Sequence, residues 1–459
     1  MNSTTFQSLC ETLQTVRETR STNGKIRHFA NFLKRIDSEL DLQLAARFTG
    51  EGAFEDVSGK RASVGSRTSG LAAAKFCDID YDLVFKPCRT ATGSSSETIA
   101  RLMGNIPEAI EKRSPASLTL SEVSELFEEL YISSSRADKE RILWNAWEKM
   151  TPVEIKYFIR MLGQGSLRIG FETRSVVASI AKAFECDREE VRYTHMITGS
   201  LGRTALLARD GRLDEATFRL FHPLSFMLAS PIESRSVENL SKYVAEEKFD
   251  GMRAQVHANE KTIKIYSRDL NDITGSFPDV VDFFLERDLE PSVFDGEICV
   301  FKDDTILPFQ MLQKRMGIKK PGKKILAEYP VLFIAYDLLY KNKQPTFELP
   351  LNERRELLSE MANRYRLPVS NQFEISDNDD VEELFQRALN HGNEGLMLKK
   401  RESTYEYGQR RKSWLKVKKP GGSFDTVIMY AHAGSGKRGG TYSDFTLGIS
   451  VKEDERYEE

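Results

Sequence analysis

The chain has 459 residues, 40% of them hydrophobic and 29% charged, with a formal net charge of −3, the profile of an ordinary soluble globular protein of about three domains. That balance excludes a chain coated in positive charge, so any grip on nucleic acid must rest on local basic clusters. MNSTTFQSLCETLQ at the N-terminus has no apolar signal core, no run approaches the roughly 18 apolar residues of a membrane span, and Cys10, Cys77, Cys88, Cys186 and Cys299 lack C-x-x-C spacing; neither a zinc site nor a disulfide framework is indicated, and a reduced, cytoplasmic setting is expected.

From Phe6 to about Ala208 the pattern is helical. IRHFANFLKRI spaces Ile26, Phe29, Phe32, Leu33 and Ile36 along one face, and LSEVSELFEELY does the same with Val123, Leu126, Phe127 and Leu130. TATGSSSET, residues 90–98, is expected to be a loop. A second helical block runs from ERILWNAWEKMTPVEIKYFIRML to RSVVASIAKAF.

Past FHPLSFMLASP (221–231) the texture changes to short β-rich runs: RAQVHA, TIKIYS, SVFDGEICVF, VLFIAYDLLY, EGLMLKK and WLKVKK, with helical NERRELLSEMANRY and DDVEELFQRAL between them. RAQVHA alternates Ala254, Val256 and Ala258 with Arg253, Gln255 and His257, the pattern of a half-buried strand. After KKPGGSFD a third piece begins with strands around a Gly-rich turn, TVIMYAHAGSGKRGGTYSDFTLGISV. These changes divide the chain into 1–215, 216–421 and 422–459. The first is all-α and the second α+β.

Lys248 in AEEKFDG sits where one strand ends and the next begins. A lysine amine is a nucleophile only when neutral, which calls for desolvation or neighbouring positive charge. SWLKVKKP supplies such neighbours, because Lys416 and Lys418 are two apart in a strand and share a face. Two ammonium groups on one face repel, an arrangement that suits a phosphate chain lying between them. Glu297 in VFDGEICVF and Glu394 in NEGLMLKK are acids beside a glycine at the edge of apolar runs, a setting that suits Mg²⁺ held by one or two carboxylates and phosphate oxygens. Arg253 and Arg268 could bind ribose and phosphate, and Tyr336 lies in an apolar run where its face could stack on a purine.

The ordered set EKFDG, YSRD, FDGE, AYDLLY, EGLMLK and WLKVKK closely resembles the nucleotidyltransferase motifs of ATP-dependent DNA ligases. FIRMLGQGSLRIGFETRSVVASIAKAF with VRYTHMITGSLGRTALLA resembles the helical DNA-binding domain of larger ligases, and MYAHAGSGKRGGTYSDFTLGI the opening of an OB-fold in bacterial enzymes of this type. The resemblance implies a helical DNA-binding domain, an α+β adenylation domain and the start of a truncated β OB-fold domain. It implies ATP and Mg²⁺ as cofactors and nicked duplex DNA as partner, in the cytoplasm or nucleoid, in replication, repair or recombination.

Carried over by position, the resemblance makes Lys248 the lysine that becomes linked to AMP, with Asp250 positioning the catalytic groups. Glu246 would accept from the adenine amino group and Tyr336 would stack on the base. Arg253, Arg268 and Arg410 would contact ribose and phosphates, Glu297 and Glu394 would serve metal or ribose, and Lys416 with Lys418 would hold the α-phosphate. DNA contacts are expected from QKRMGIKKPGKK (313–324), KKR (399–401), GSLRIG and GSLGRT, whose glycines permit close backbone approach to phosphate.

The sequence departs from the family at VKEDERYEE, where the final basic motif that orients pyrophosphate has no counterpart; impaired self-adenylation is the expectation. An RNA ligase or capping-type guanylyltransferase shares the K-x-D-G lysine, and a non-catalytic protein that binds DNA nicks or ends remains open. A P-loop enzyme is disfavoured, since Ala431 and Arg438 occupy the first glycine and hydroxyl positions of its motif.

Overall fold

The computed structural model describes residues 3–55, 60–163, 167–232, 239–303, 305–418, 425–433, 441–451 and 456–458. Two compact units emerge, residues 1–217 with 423–459, and residues 218–422.

Helices fill the first 217 residues, from Phe6–Glu18 to Leu201–Arg209. Their starts follow from local chemistry: Thr5, Ser21 and Ser38 each accept a backbone N–H at a helix N-terminus, and Thr119 with Glu122 and Thr151 with Glu154 form reciprocal capping boxes. The predicted faces of the two quoted helices meet in one core, with Phe29, Phe32, Leu33, Ile36, Val123, Phe127 and Leu130 buried and Ile26 and Leu126 packed against it. Phe127 stacks on Phe158 with centroids 4.9 Å apart.

The serine-rich stretch is not a loop. Helix Lys86–Thr92 ends on Gly93 at φ 67°, and Ser95–Asn105 is already the next helix. Ser96 and Thr98 are buried, bonded to Arg160 and to the Ser94 carbonyl. Hydroxyls that would favour a turn in isolation are satisfied here within the first helical turn.

Residues 218–422 build two sheets. The strands are β1 (Leu228–Pro231), β2 (Tyr243–Lys248), β3 (Met252–Ala258), β4 (Ile263–Ser267), β5 (Ser292–Lys302), β6 (Thr305–Ile306), β7 (Val331–Lys341), β8 (Gln344–Pro345), β9 (Gln372–Glu374), β10 (Gly395–Lys400) and β11 (Arg410–Lys418). One sheet is ordered β4-β3-β5-β7-β8 with β6 on β5, the other β1-β11-β10-β2-β9. Helices Pro278–Leu285 and Leu351–Tyr365 share an apolar core with the first sheet, and Asn378–Asn390 with the second. Between the sheets Tyr336 of β7 meets Trp414 of β11 edge-on at 6.2 Å, so these two faces lie toward each other.

β3 is buried on both faces rather than one. Gln255 and His257 are fully buried because the preceding segment lies across them. Gln255 accepts from Leu224 N–H at 2.8 Å and donates to its carbonyl at 3.0 Å, and His257 Nδ1 accepts from Phe221 N–H at 3.2 Å. Polar residues on an outward-reading face are here paired with main chain.

β12 (Thr426–Ala433), β13 (Tyr442–Val451) and β14 (Arg456–Glu458) form an antiparallel sheet in that order. The GSGKRGG turn, including Arg438, lies outside the described residues. Among the described residues no helix is long and apolar enough to cross a membrane.

Candidate active site

Strand register brings the distant motifs together. In the second sheet Gly395 of β10 pairs with Lys248 of β2 on one side and Lys418 of β11 on the other. Two residues along, Met397 pairs with Glu246 and Lys416. Because side chains alternate along a strand, Glu246, Lys248, Lys416 and Lys418 share one face. Gly395 has φ 139°, and a Cβ there would lie 2.2 Å from the Val417 carbonyl oxygen. Only glycine lets β10 pass so close between the strands that carry the lysines.

Glu394, just before that glycine, pairs with both flanking lysines, Lys248 at 2.7 Å and Lys418. Burial alone would raise its pKa, but hydrogen bonds from Lys248 and Lys418 hold it below the ordinary carboxylate value. Lys416 titrates below its ordinary range, first through lost solvation and then through repulsion by Lys418, Arg410, Lys248 and Arg268. Four other cations named from the sequence thus act on Lys416, though Arg268 and Arg410 are themselves exposed.

The first sheet contributes Glu297, opposite Arg253 across the β3–β5 ladder. Desolvation raises the Glu297 carboxyl to about 8, against the pull of Lys248 and Arg253. It has no hydrogen-bond or ion-pair partner among the described residues. A Cβ on Gly251 would meet Glu297 Cγ at 2.7 Å and the Ile298 carbonyl at 2.6 Å, so the glycine of K-x-D-G lets the lysine's loop lie against β5. Asp250 accepts the Phe309 N–H at 3.0 Å and ties that loop to helix Phe309–Gln313.

Arg253 is not free. Its guanidinium makes a bidentate pair with Asp295, at 3.1 and 2.7 Å, and donates to the Met227 carbonyl at 2.6 Å. It lies among the rings of Phe226, Trp414 and Tyr336. Tyr405 OH donates to the same Asp295 at 2.6 Å. Glu246, 2% exposed, accepts from Ser370 at 2.8 Å, Gln372 at 2.9 Å and Lys399 at 2.9 Å. Lys399 Nζ lies 4.5 Å from the ring centres of both Tyr336 and Trp414, and burial pushes the Tyr336 phenol well above its ordinary value.

Two residues expected to meet DNA are therefore occupied elsewhere. Lys399 is buried against Glu246, and Arg315 is fully buried in a pair with Asp279 and the Tyr329 carbonyl. In GSLGRT, Ser200 caps helix Leu201–Arg209 and donates to Glu55, while a Cβ on Gly202 would meet Gln43 O at 3.0 Å. Leu201, Gly202 and Thr204 of that segment are packed inward, while Arg203 is exposed. Residues 165 and 166 of GSLRIG lie outside the described residues.

Asp295, Tyr405, Trp414, Ser370 and Gln372 were not picked out from the sequence, and Lys399 was read there only as a DNA contact. Asp295 and Trp414 sit inside quoted motifs and could have been found there, since an acid and an indole flank the named residues. Ser370, Gln372 and Tyr405 carry no local signal and join only by folding.

The comparisons accord with this arrangement. Residues 5–181 match the family model "DNA ligase N terminus" and residues 226–418 match "ATP dependent DNA ligase domain". The chain belongs to the ATP-dependent DNA ligases. It is 30% identical to a DNA ligase of Methanothrix thermoacetophila, covering 96% of this chain and 80% of the relative, and 30% identical to one of Methanospirillum hungatei, covering 88% and 73%. A probable DNA ligase of Koribacter versatilis is 34% identical over 77% of this chain, which spans 64% of that relative's length. A solved structure called Pmar-Lig_Pre shares the fold, with TM-score 0.56 and 15% identity, over 98% of this chain and 86% of that one.

Proposed function

We propose that this chain seals nicks in duplex DNA, using ATP, through an AMP-linked Lys248. The observation that carries the reading is the rung Lys248–Gly395–Lys418 with Glu394 between its lysines. Lys248 Nζ attacks the α-phosphorus of ATP and pyrophosphate leaves, forming a phosphoramidate. AMP passes to the 5′-phosphate of the nick, and the 3′-hydroxyl then attacks that phosphorus and expels AMP. Storing the nucleotide on nitrogen divides one hard condensation into displacements with good leaving groups.

Lys416 and Lys418 hold the α-phosphate and stabilise charge that develops in each displacement. Arg268 and Arg410 reach the outer phosphates or ribose from exposed positions. Arg253 contributes by fixing the stacking wall of Tyr336 and Trp414, and engages ribose or phosphate only by leaving Asp295. Glu246, its carboxylate held by three donors, accepts from the adenine amino group, and Asp250 holds the lysine's loop. Glu297 and Glu394 would hold Mg²⁺, which supplies neutralisation of phosphate charge. Among the described residues no cluster of three or more metal-binding side chains gathers; an Mg²⁺ ion characteristically takes most of its ligands from phosphate and water.

A protein with this activity works in the cytoplasm, at the nucleoid in a bacterium. Mass spectrometry after incubation with ATP and Mg²⁺ tests the reading: the expected result is one added AMP on Lys248, acid-labile as a phosphoramidate is, and absent from Lys248→Ala. GTP labelling in preference to ATP would favour a capping-type enzyme, and no adduct would leave a nick-binding protein.

A further inference from the structure

The carboxylate that would read the base is held by more than its own strand. Glu246 Oε2 accepts from Ser370 Oγ at 2.8 Å and from Lys399 Nζ at 2.9 Å, and Oε1 accepts from Gln372 Nε2 at 2.9 Å. Glu246 and Gln372 are paired across the β2–β9 ladder. Ser370, buried like Glu246, stands two residues earlier, so both uncharged donors come from one short segment. A carboxylate offers about four lone-pair directions. Among the described residues both directions on Oε2 and one on Oε1 are taken, which leaves a single acceptor direction, on Oε1.

The same segment is fastened to the strand that carries the stacking ring. Ser370 N–H donates to the Ala335 carbonyl at 2.9 Å, and Ala335 N–H donates to the Pro368 carbonyl at 2.9 Å, forming a parallel bridge between Ala335 and Val369. Tyr336 is the next residue of β7. Arg355 of helix Leu351–Tyr365 donates to the Ser370 carbonyl as well. Ser370 therefore joins, within one residue, the carboxylate of Glu246 and the strand of Tyr336. A base stacked on Tyr336 would meet Glu246 at an offset that this segment sets. An acceptor held there suits a 6-amino group, whose N–H donates. A 6-oxo group in the same place brings oxygen against carboxylate oxygen and leaves both unpaired.

We infer that Ser370 and Gln372 are positioning residues that fix the Glu246 carboxylate relative to Tyr336, and so set the preference for a 6-aminopurine over a 6-oxopurine nucleotide. The inference rests on the reading of Glu246 and Tyr336 as the base site and adds the two residues that aim it. Lys399 alone would not aim the carboxylate, because an ammonium is a point charge on a flexible stem. A hydroxyl on a buried backbone and an amide on the facing strand restrict the carboxylate's rotation. Without either, Glu246 turns toward Lys399 and its remaining acceptor direction leaves the plane of the base.

Calorimetric titration of the full chain with ATP and with inosine triphosphate tests this, in buffer free of Mg²⁺ so that binding is read without turnover. Inosine triphosphate carries oxygen in place of the 6-amino group and lacks the 2-amino group of GTP, so the comparison isolates position 6. The wild type is expected to bind ATP more tightly. In Ser370→Ala the ratio of the two affinities should fall about tenfold, as for one lost hydrogen bond to a charged group, chiefly through weaker ATP binding. Gln372→Met should lower the ratio by a similar factor. An unchanged ratio overturns the inference and leaves the base site standing. Equal weakening toward both nucleotides also leaves the ratio unchanged, and would mark damage to the fold rather than lost aim. A wild type that binds the two nucleotides alike would overturn the reading of Glu246 itself, and the inference with it. Should Ser370→Ala fail to fold, Gln372→Met, on the part-exposed edge strand β9, decides alone.

Discussion

Arg253 and Asp295 show how one residue pair joins packing to chemistry. Asp295 is fully buried and takes two donors from Arg253 and one from Tyr405, so removing its charge strands a guanidinium among three aromatic rings. Asp295→Asn is expected to cost about 3–5 kcal/mol, the usual penalty for breaking a buried pair by removing one partner. Denaturant unfolding of residues 218–422 within the full chain measures it. Arg315 belongs to the same category. Although it stands in a run of lysines that reads as a DNA-binding cluster, it is paired with Asp279 and buried. Arg315→Ala should lower the unfolding midpoint rather than alter the salt response, whereas its exposed neighbours should do the reverse. Nothing in the local sequence distinguishes Arg315 from those neighbours, because burial depends on what packs over a side chain.

At the scale of elements, β10 and β3 carry the site. Gly395→Ala would force β10 away from β11 at Val417 and open the rung between the lysines. A displacement of about 1 Å can cost about a hundredfold in rate; AMP labelling rates should fall by that order while far-UV circular dichroism is retained. β3 makes a different prediction, from pH. Burial, with a smaller push from His222, depresses His257 to about 3, and its bonds fix the neutral form: Nδ1 accepts from Phe221 and Nε2 lies 3.0 Å from Gln255 Oε1. A histidine whose folded pKa lies below its unfolded value contributes stability that is complete above about 6.5 and is lost as pH falls toward 3. The slope is at most about 1.4 kcal/mol per pH unit. His257→Asn keeps an acceptor for Phe221 but cannot titrate, so its unfolding free energy should depend less on pH than the wild type's between 6.5 and 4. Equal slopes would show that the imidazole is not held neutral.

For the molecule as a whole, a net charge of −3 requires DNA affinity to come from a few clustered cations. Lys319, Lys320, Lys323 and Lys324 are exposed and stand just before and at the start of helix Lys323–Glu328. Replacing all four by alanine should weaken nicked-duplex binding at low salt and lower the salt slope by about one for each phosphate that is no longer neutralised. Labelling of Lys248 by ATP should persist. A slope unchanged by the fourfold replacement would mean that these lysines are merely solvated. The serine-rich stretch and GSLGRT teach the complementary lesson. Their hydroxyls and glycines read as loop or phosphate-binding signals, yet neighbouring helices take up the hydroxyls and pack against Gly202.

The sequence alone determined the succession of helical and strand-rich regions and placed Lys248, Glu297, Glu394, Lys416 and Lys418 in ordered motifs. Hydrophobic period and short-range spacing are local properties that a linear reading preserves. Only the tertiary structure decided which groups meet: that one glycine sets Lys248 beside Lys418, that Lys399 lies under two rings rather than on DNA, and that Ser370 reaches Glu246 across more than a hundred residues of chain. Such pairings depend on strand register and on what covers each side chain, quantities fixed by packing the whole chain at once.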